Sequence, residues 1–188
     1  DILGPENVRV FDGVSPNPDL SAIDEASANL RSDEVDRIVA LGGGSTIDTA
    51  KALSVTLSES TSSFSLRGHF VDGAPLPTSA PLPVIAVPTT AGTGSEVTPF
   101  ATIWDKEGDK KLSLTSPAIF PQMAVLDPAL TLGLPEDETV SSGLDALSQG
   151  LESIWNRNAN PASLPIATRA VSLAVSTLPL LVEEPGNI

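Results

Sequence analysis

Residues 38–51 constrain the fold more than any other stretch, because they hold a buried strand, a glycine turn and a helix start in that order. The apolar residues 38–41 predict a strand of a parallel sheet. Three glycines at 42–44 let the backbone turn sharply and approach a ligand. Ser45 is predicted to be the N-cap of the next helix and Asp48 to complete a capping box, so that the first N–H groups of the helix face the glycines.

This arrangement predicts an anion site, since a helix N-terminus presents unpaired N–H groups and partial positive charge. The pyrophosphate of a dinucleotide is the usual occupant when strand, glycine turn and helix follow one another. A tight connection without a ligand stays open as the simpler explanation. The loop is neither GxxxxGK[ST] nor GxGxxG, because Lys51 lies seven positions after Gly44 and the glycines are consecutive.

Composition excludes several classes of protein. The chain has 188 residues, 40% of them hydrophobic, which is enough for a packed core in one domain or slightly more. With 24 acidic and 10 basic residues, its formal charge of −14 disfavours nucleic acid and anionic membranes as partners. Cysteine is absent, and we identify neither a signal peptide nor an apolar run long enough to span a bilayer. A cytoplasmic enzyme is the expected class, and the ends of the chain suggest a fragment of a longer protein.

Strands and helices alternate along the first two thirds of the chain. The pattern predicts strands at 8–11, 38–41, 84–87 and 124–126, helices at 18–30 and 46–57, a loop at 58–83, and a hairpin of 101–104 with 111–114. Such alternation predicts an α/β fold with a parallel sheet and helices on both faces. Beyond residue 134 only helices are predicted, at 135–155 with Pro135 in the first helical position and at 162–181. We therefore expect a dinucleotide-binding α/β domain at 1–134 and the start of an all-helical domain at 135–188.

Two further clusters suit a bound cofactor and a metal. Residues 88–98 follow a predicted core strand and contain five side-chain hydroxyls and two glycines, groups that suit ribose and phosphate at the carboxyl edge of a parallel sheet. Asp145 and Gln149 are one turn apart on one helix face, which is the spacing of a metal-ligand pair. Simpler explanations stay open for each feature. Residues 88–98 could be a surface loop, Asp145 could belong to the capping box of a helix restarted at Gly143, and Gln149 could be a solvated surface residue.

The motifs together resemble the iron-containing, group III alcohol dehydrogenases. The resemblance rests on four segments in the same order, namely FDGVSPNP, GGGSTIDTAK, PTTAGTGSEVT and the run from Asp127 to Gln149. It implies an N-terminal dinucleotide-binding domain, a C-terminal helical domain, and a divalent metal (Fe, Zn, Mn or Mg) between them. It also implies NAD- or NADP-dependent interconversion of an aldehyde and an alcohol, and that about half of the family's chain is missing.

The resemblance also assigns site residues, although no catalytic side chain. The positions that it places at the cofactor are Asp12, Gly42, Gly43, Gly44, Ser45, Asp48, Thr89, Thr90, Thr93, Ser95, Thr98 and Lys111. Asp145 falls on the first metal ligand, whereas Gln149 stands where the family has histidine, and two more family histidines would lie beyond residue 188. An amide oxygen binds zinc or iron more weakly than imidazole does, so the identity and the presence of the metal stay open. The single histidine, His69, is expected at the surface.

Residues 148–161 are similar to the family branch that handles phosphonoacetaldehyde and 2-hydroxyethylphosphonate, and Arg157 is a candidate for the phosphonate. Two other functions stay open: an NAD-using cyclase like dehydroquinate synthase, and a non-catalytic dinucleotide-binding module. The expected partner is a small aldehyde or alcohol. The sequence decides neither NAD against NADP nor whether the protein is a homo-oligomer.

Overall fold

The computed structural model describes residues 4–58 and 64–183. Its helices and strands follow one another in the predicted alternation and then give way to helices alone. The helices are α1 (Leu20–Leu30), α2 (Gly44–Thr56), α3 (Leu66–Phe70), α4 (Glu136–Trp155) and α5 (Ser163–Glu183). The strands are β1 (Ile38–Gly42), β2 (Val84–Pro88), β3 (Phe100–Asp105), β4 (Lys110–Thr115) and β5 (Met123–Ala124).

A parallel sheet with the strand order β1-β2-β5 forms the centre of the α/β part. Helix α2 covers one face of this sheet, where Ile47 and Ala50 pack on Ala40 and Ala86. The α/β fold with a parallel sheet is therefore as predicted. The opposite face is less covered by the described residues than expected, since Val39 of β1 is 56% exposed.

The larger core lies between α2, α1, α3 and the antiparallel hairpin of β3 and β4. Leu20 and Ile23 of α1, Leu53 of α2, and Ile103 and Leu114 of the hairpin are all buried there. The predicted hairpin is confirmed, with each strand slightly longer than expected. Because α2 packs on both the sheet and the hairpin, it holds the two together.

Three local predictions differ from the structure. Residues 8–11 are irregular and not a strand, and Val10 is 77% exposed; an alternating pattern makes a strand only where a neighbour pairs with it.

Helix α3 lies inside the predicted loop 58–83, of which 59–63 are outside the described residues. Ser65 caps this short helix locally, and Asp24 of α1 adds a tertiary contact by accepting hydrogen bonds from the N–H groups of Leu66 and Arg67, at 2.7 and 3.0 Å. The last predicted strand is shorter and begins earlier, at Met123.

Helices α4 and α5 pack against each other after the α/β part, and the described residues beyond 134 contain no strand, as predicted. Pro135 is the N-cap of α4 and not its first residue. By length and composition α5 could cross a membrane, contrary to the expectation from sequence, although core helices of water-soluble proteins meet the same criteria. The domain boundary at residue 134 stays a prediction.

Candidate dinucleotide site and metal pair

Helix α2 begins after the glycine turn two residues earlier than expected, at Gly44 instead of Thr46. Gly43, not Ser45, is the N-cap of α2, and its carbonyl accepts hydrogen bonds from the N–H groups of Thr46 (3.0 Å) and Ile47 (3.1 Å). The predicted capping box is therefore wrong, since the helix begins on extended glycine backbone and makes no side-chain cap. The N–H groups of Gly44 and Ser45 belong to the first turn, where an α-helix offers no internal acceptor.

Asp48 joins α2 to the rest of the site instead of capping the helix. Its Oδ1 accepts a hydrogen bond from Ser95 Oγ at 2.5 Å, and its Oδ2 accepts one from the backbone N–H of Thr102 at 2.8 Å. Burial raises the pKa of Asp48 above its ordinary value, while these two hydrogen bonds and the nearby charge of Lys51 oppose that rise. The carboxylate thus connects α2 with the hydroxyl-rich loop and with β3.

The hydroxyl-rich loop, residues 89–98, lies against the glycine turn. The N–H of Thr89 donates to the carbonyl of Gly42 at 3.0 Å. A Cβ added at Gly43 would be 3.3 Å from Thr90 Cγ2, and one added at Gly44 would be only 2.7 Å from Thr93 Cγ2. The two motifs therefore meet at the carboxyl edge of β1 and β2, as the sequence predicts, and the missing side chains of the glycines make room for the threonines.

Lys51 is a residue of this neighbourhood that the sequence analysis did not assign to the site. Its side chain is fully buried, and its ammonium donates to Ser95 Oγ (3.0 Å), Thr98 Oγ1 (3.1 Å) and the carbonyl of Phe100 (2.9 Å). Three donors thus meet three acceptors. The ammonium is also 4.0 Å from the carboxylate of Asp48. Lys51 therefore fastens the end of the hydroxyl-rich loop and the start of β3 to α2.

Burial lowers the pKa of Lys51 to about 8, against the opposing effect of the carboxylates of Asp48 and Glu96. The sequence does carry a sign of this residue, because Lys51 interrupts a run of small and apolar residues from Thr49 to Thr56, all of them buried. A charge in the middle of such a run needs an internal partner. Asp48, Ser95 and Thr98 are three of the predicted cofactor residues. In the structure their side chains contact Lys51, and these contacts hold the loop against α2.

Two predicted cofactor residues lie apart from the contacts that join the loops. Asp12 is exposed in an irregular stretch. Lys111 stands opposite Trp104 near the hairpin turn, with its ammonium 5.8 Å from the ring centroid. Both assignments stay predictions. His69 is partly exposed, and its Nδ1 lies 2.6 Å from the carbonyl oxygen of Ala74.

Asp145 and Gln149 project from neighbouring turns of α4, and Gln149 Nε2 donates to Asp145 Oδ1 at 3.5 Å. Because α4 runs without a break from Glu136 to Trp155, Asp145 is not in the capping box of a restarted helix. Among the described residues, no three or more acidic, histidine or cysteine side chains come together in a group that could hold a metal ion. The pair supplies one carboxylate and one amide oxygen, which fit part of the shell of a divalent cation.

The pattern that defines the iron-containing alcohol dehydrogenases matches residues 3–128. The chain therefore belongs to the iron-containing alcohol dehydrogenase family.

Relatives and solved structures agree with this family. The chain is 39% identical over 173 residues to a phosphonoacetaldehyde reductase of Streptomyces viridochromogenes, covering 91% of this chain and 43% of the relative. It resembles the structure of a sulfoacetaldehyde reductase from Bifidobacterium kashiwanohense in complex with NAD+, with a TM-score of 0.87, 37% identity, and coverage of 96% and 47%. An iron-containing alcohol dehydrogenase from Thermotoga maritima gives a TM-score of 0.82 at 38% identity, with coverage of 95% and 47%. The chain thus spans less than half the length of these relatives.

Proposed function

We propose that the protein is an NAD- or NADP-dependent oxidoreductase that interconverts an aldehyde and a primary alcohol. The observation that carries this proposal is the meeting of the glycine turn and the hydroxyl-rich loop at the carboxyl edge of the parallel sheet, where nucleotides bind in open α/β sheets. The similarity to a reductase structure solved in complex with NAD+ supports a nicotinamide dinucleotide as the cofactor.

The chain's own groups suit a dinucleotide. The N–H groups of Gly44 and Ser45, at the positive end of α2, are the donors for a pyrophosphate. The hydroxyls of Thr90 and Thr93 lie beside them and suit phosphate or ribose oxygens. Lys51 and Asp48 both bind Ser95 Oγ and thereby hold the loop that carries these hydroxyls.

Asp145 and Gln149 are the proposed metal ligands of this chain, and they need further ligands from outside the described residues. A divalent cation at such a site polarises a carbonyl oxygen as a Lewis acid. Asp145 supplies the negative charge, while the neutral Gln149 favours harder cations such as Mn²⁺ or Mg²⁺ over zinc or iron.

The substrate that we propose is a two-carbon aldehyde with an anionic head group. Two relatives are named for phosphonoacetaldehyde and sulfoacetaldehyde, which share an aldehyde separated by one carbon from a phosphonate or sulfonate. Arg157 follows α4 and is exposed, so it is available to such an anion. A local positive charge is needed to attract an anionic substrate, because the formal net charge of the chain is −14.

A cyclase like dehydroquinate synthase and a non-catalytic dinucleotide-binding module are the other functions considered. The family match favours the dehydrogenase over both. We assign α5 to the core of a helical domain, since it packs along α4, and we propose a cytoplasmic enzyme that acts on a small molecule.

Replacing Gly43 with valine tests the cofactor site. We expect the affinity of the full-length protein for NADH and NADPH to fall at least about tenfold, or about 1.4 kcal/mol, because a β-branched side chain would occupy the approach beside Thr90. Fluorescence titration measures the affinity, and a thermal melt checks the fold. Gly133→Val is the control, since nothing lies within 4 Å of a Cβ at Gly133. Unchanged binding of both nucleotides in Gly43→Val would place the site elsewhere.

A substrate panel tests the proposed head group. We expect phosphonoacetaldehyde or sulfoacetaldehyde to be reduced with a kcat/KM at least about tenfold above that of acetaldehyde, and Arg157→Gln to remove most of this preference, because a charged hydrogen bond is worth roughly 1.5–3 kcal/mol. Arg37→Gln is the control, since that guanidinium pairs with Asp36. Equal kcat/KM values for all three aldehydes would contradict the proposed substrate class while leaving the dehydrogenase intact.

A further inference from the structure

Gly92 of the hydroxyl-rich loop lies unusually close to the backbone of α4. A Cβ added at Gly92 would be 2.5 Å from the carbonyl oxygen of Ser142 and 3.0 Å from both its carbonyl carbon and its Cα. All three atoms belong to the backbone, so no change of rotamer relieves the overlap. Gly92 is therefore required by the approach of α4 and not by a left-handed backbone.

This point connects the two candidate sites. Gly92 lies between Thr90 and Thr93, the residues whose side chains fill the space beside the glycine turn. Ser142 precedes Asp145 by three residues on an unbroken helix, so the two positions share one face of α4. The hydroxyl-rich loop thus lies beside the glycine turn at its threonines and beside the face of α4 that carries Asp145 at Gly92.

We propose that Gly92 is a positioning residue for the reaction: the absence of its side chain sets the separation between the nucleotide loop and the face of α4 that carries Asp145. The inference rests on the proposed function, in which a hydride passes between a nicotinamide and a carbonyl held near the metal pair. A misplacement of about 1 Å between reacting groups can cost on the order of a hundredfold in rate. A methyl group at Gly92 would force a shift of the loop or of α4.

The kinetic test compares Gly92→Ala with wild type in the full-length protein. We expect kcat to fall about tenfold to a hundredfold while the KM for the nucleotide stays within about threefold, because the pyrophosphate donors of α2 are untouched. The control is Gly133→Ala, which adds the same methyl group in open space and should leave both constants unchanged. A kcat of Gly92→Ala equal to that of wild type would overturn the inference, and so would a loss confined to KM.

A second measurement does not depend on turnover. Because the loop touches α4, binding of NADH to the wild-type protein should slow amide hydrogen exchange in the first half of α4, with α1 as an internal reference. In Gly92→Ala the slowing should shrink. An α4 that does not respond in wild type, although titration shows that NADH binds, would refute the coupling and leave the proposed function standing. A wild-type protein that binds no nucleotide would refute the proposed function, and the inference with it.

Discussion

Replacing Lys51 with methionine should lower the free energy of unfolding by about 3 kcal/mol, because it removes one partner of a buried, hydrogen-bonded charge network. The hydroxyls of Ser95 and Thr98 and the carbonyl of Phe100 would lose their donor. The carboxylate of Asp48 would lose its nearby positive charge. Methionine has a similar length and fills the space, so the loss reports on polar contacts more than on a cavity.

The same variant should also weaken nucleotide binding by at least about tenfold, or about 1.4 kcal/mol. Ser95 lies in the hydroxyl-rich loop, and without Lys51 the loop loses the contacts that fasten it to α2. Denaturant unfolding and NADH titration of the full-length protein measure the two effects. Lys106→Met is the matched control, because Lys106 is exposed in the hairpin turn and its loss should change stability by less than about 0.5 kcal/mol. If Lys51→Met behaves like this control, the network does not hold the loop.

The pH dependence of stability offers a signature of Lys51. Its pKa is about 8 in the folded protein, compared with an ordinary value of 10.5. Between these values the unfolded chain binds more protons than the folded one, so the stability of the wild-type protein should rise as pH increases from about 8 to 10.5. The variant Lys51→Met lacks this group, so its own curve should not show the rise, and the increment should appear in the difference between the wild-type and variant curves. A wild-type curve parallel to that of the variant would show that Lys51 is not buried as an ammonium.

Replacing Asp145 with alanine should abolish metal-dependent turnover, a loss of at least about a thousandfold if the Lewis acid supplies several kcal/mol. The fold should survive, because Asp145 is only half-buried and its described partner is the exposed Gln149. Glu152→Ala, an exposed change on the same helix, is the control. Metal content and activity should be measured after chelation and re-addition of each cation. Full activity in Asp145→Ala would contradict the metal assignment.

Gln149→His is the complementary variant. Imidazole is a better ligand than an amide oxygen for zinc and iron, so these two cations should bind at least about tenfold more tightly, whereas Mn²⁺ and Mg²⁺ should gain little. The comparison isolates the ligand at one position, since Asp145 is unchanged. If each of the four cations binds Gln149→His with the same affinity as it binds the wild-type protein, residue 149 does not face the metal.

The sequence predicts the parts of the fold that depend on local pattern. The strand at 38–41, the glycines after it and the hydroxyl-rich loop each carry their own periodicity or composition. Their meeting follows from a general property of parallel sheets, whose strands end at the same edge. That is why the neighbourhood of Gly44 and Thr93 could be predicted without coordinates.

What the sequence does not predict depends on partners that are distant along the chain. Helix α3 has a local N-cap in Ser65, but Asp24 also accepts hydrogen bonds from its first residues, and no local pattern contains that carboxylate. The error at Ser45 has the same origin: Asp48 has the spacing of a capping box, but its carboxylate binds Ser95 and Thr102, which lie about fifty residues away. The buried charge of Lys51 also becomes intelligible only with the loop in place.

Helix α2 fixes the relative positions of three residues that contact or border the hydroxyl-rich loop. Ser45 lies in its first turn, Asp48 follows three residues later and Lys51 three residues after that. Each residue of an α-helix adds about 1.5 Å of rise and 100° of rotation, so inserting or deleting one residue between Gly43 and Lys51 would turn the ammonium away from the loop. Conservative substitutions between these positions keep the spacing. Variation in this segment should therefore change residue identity but not the number of residues.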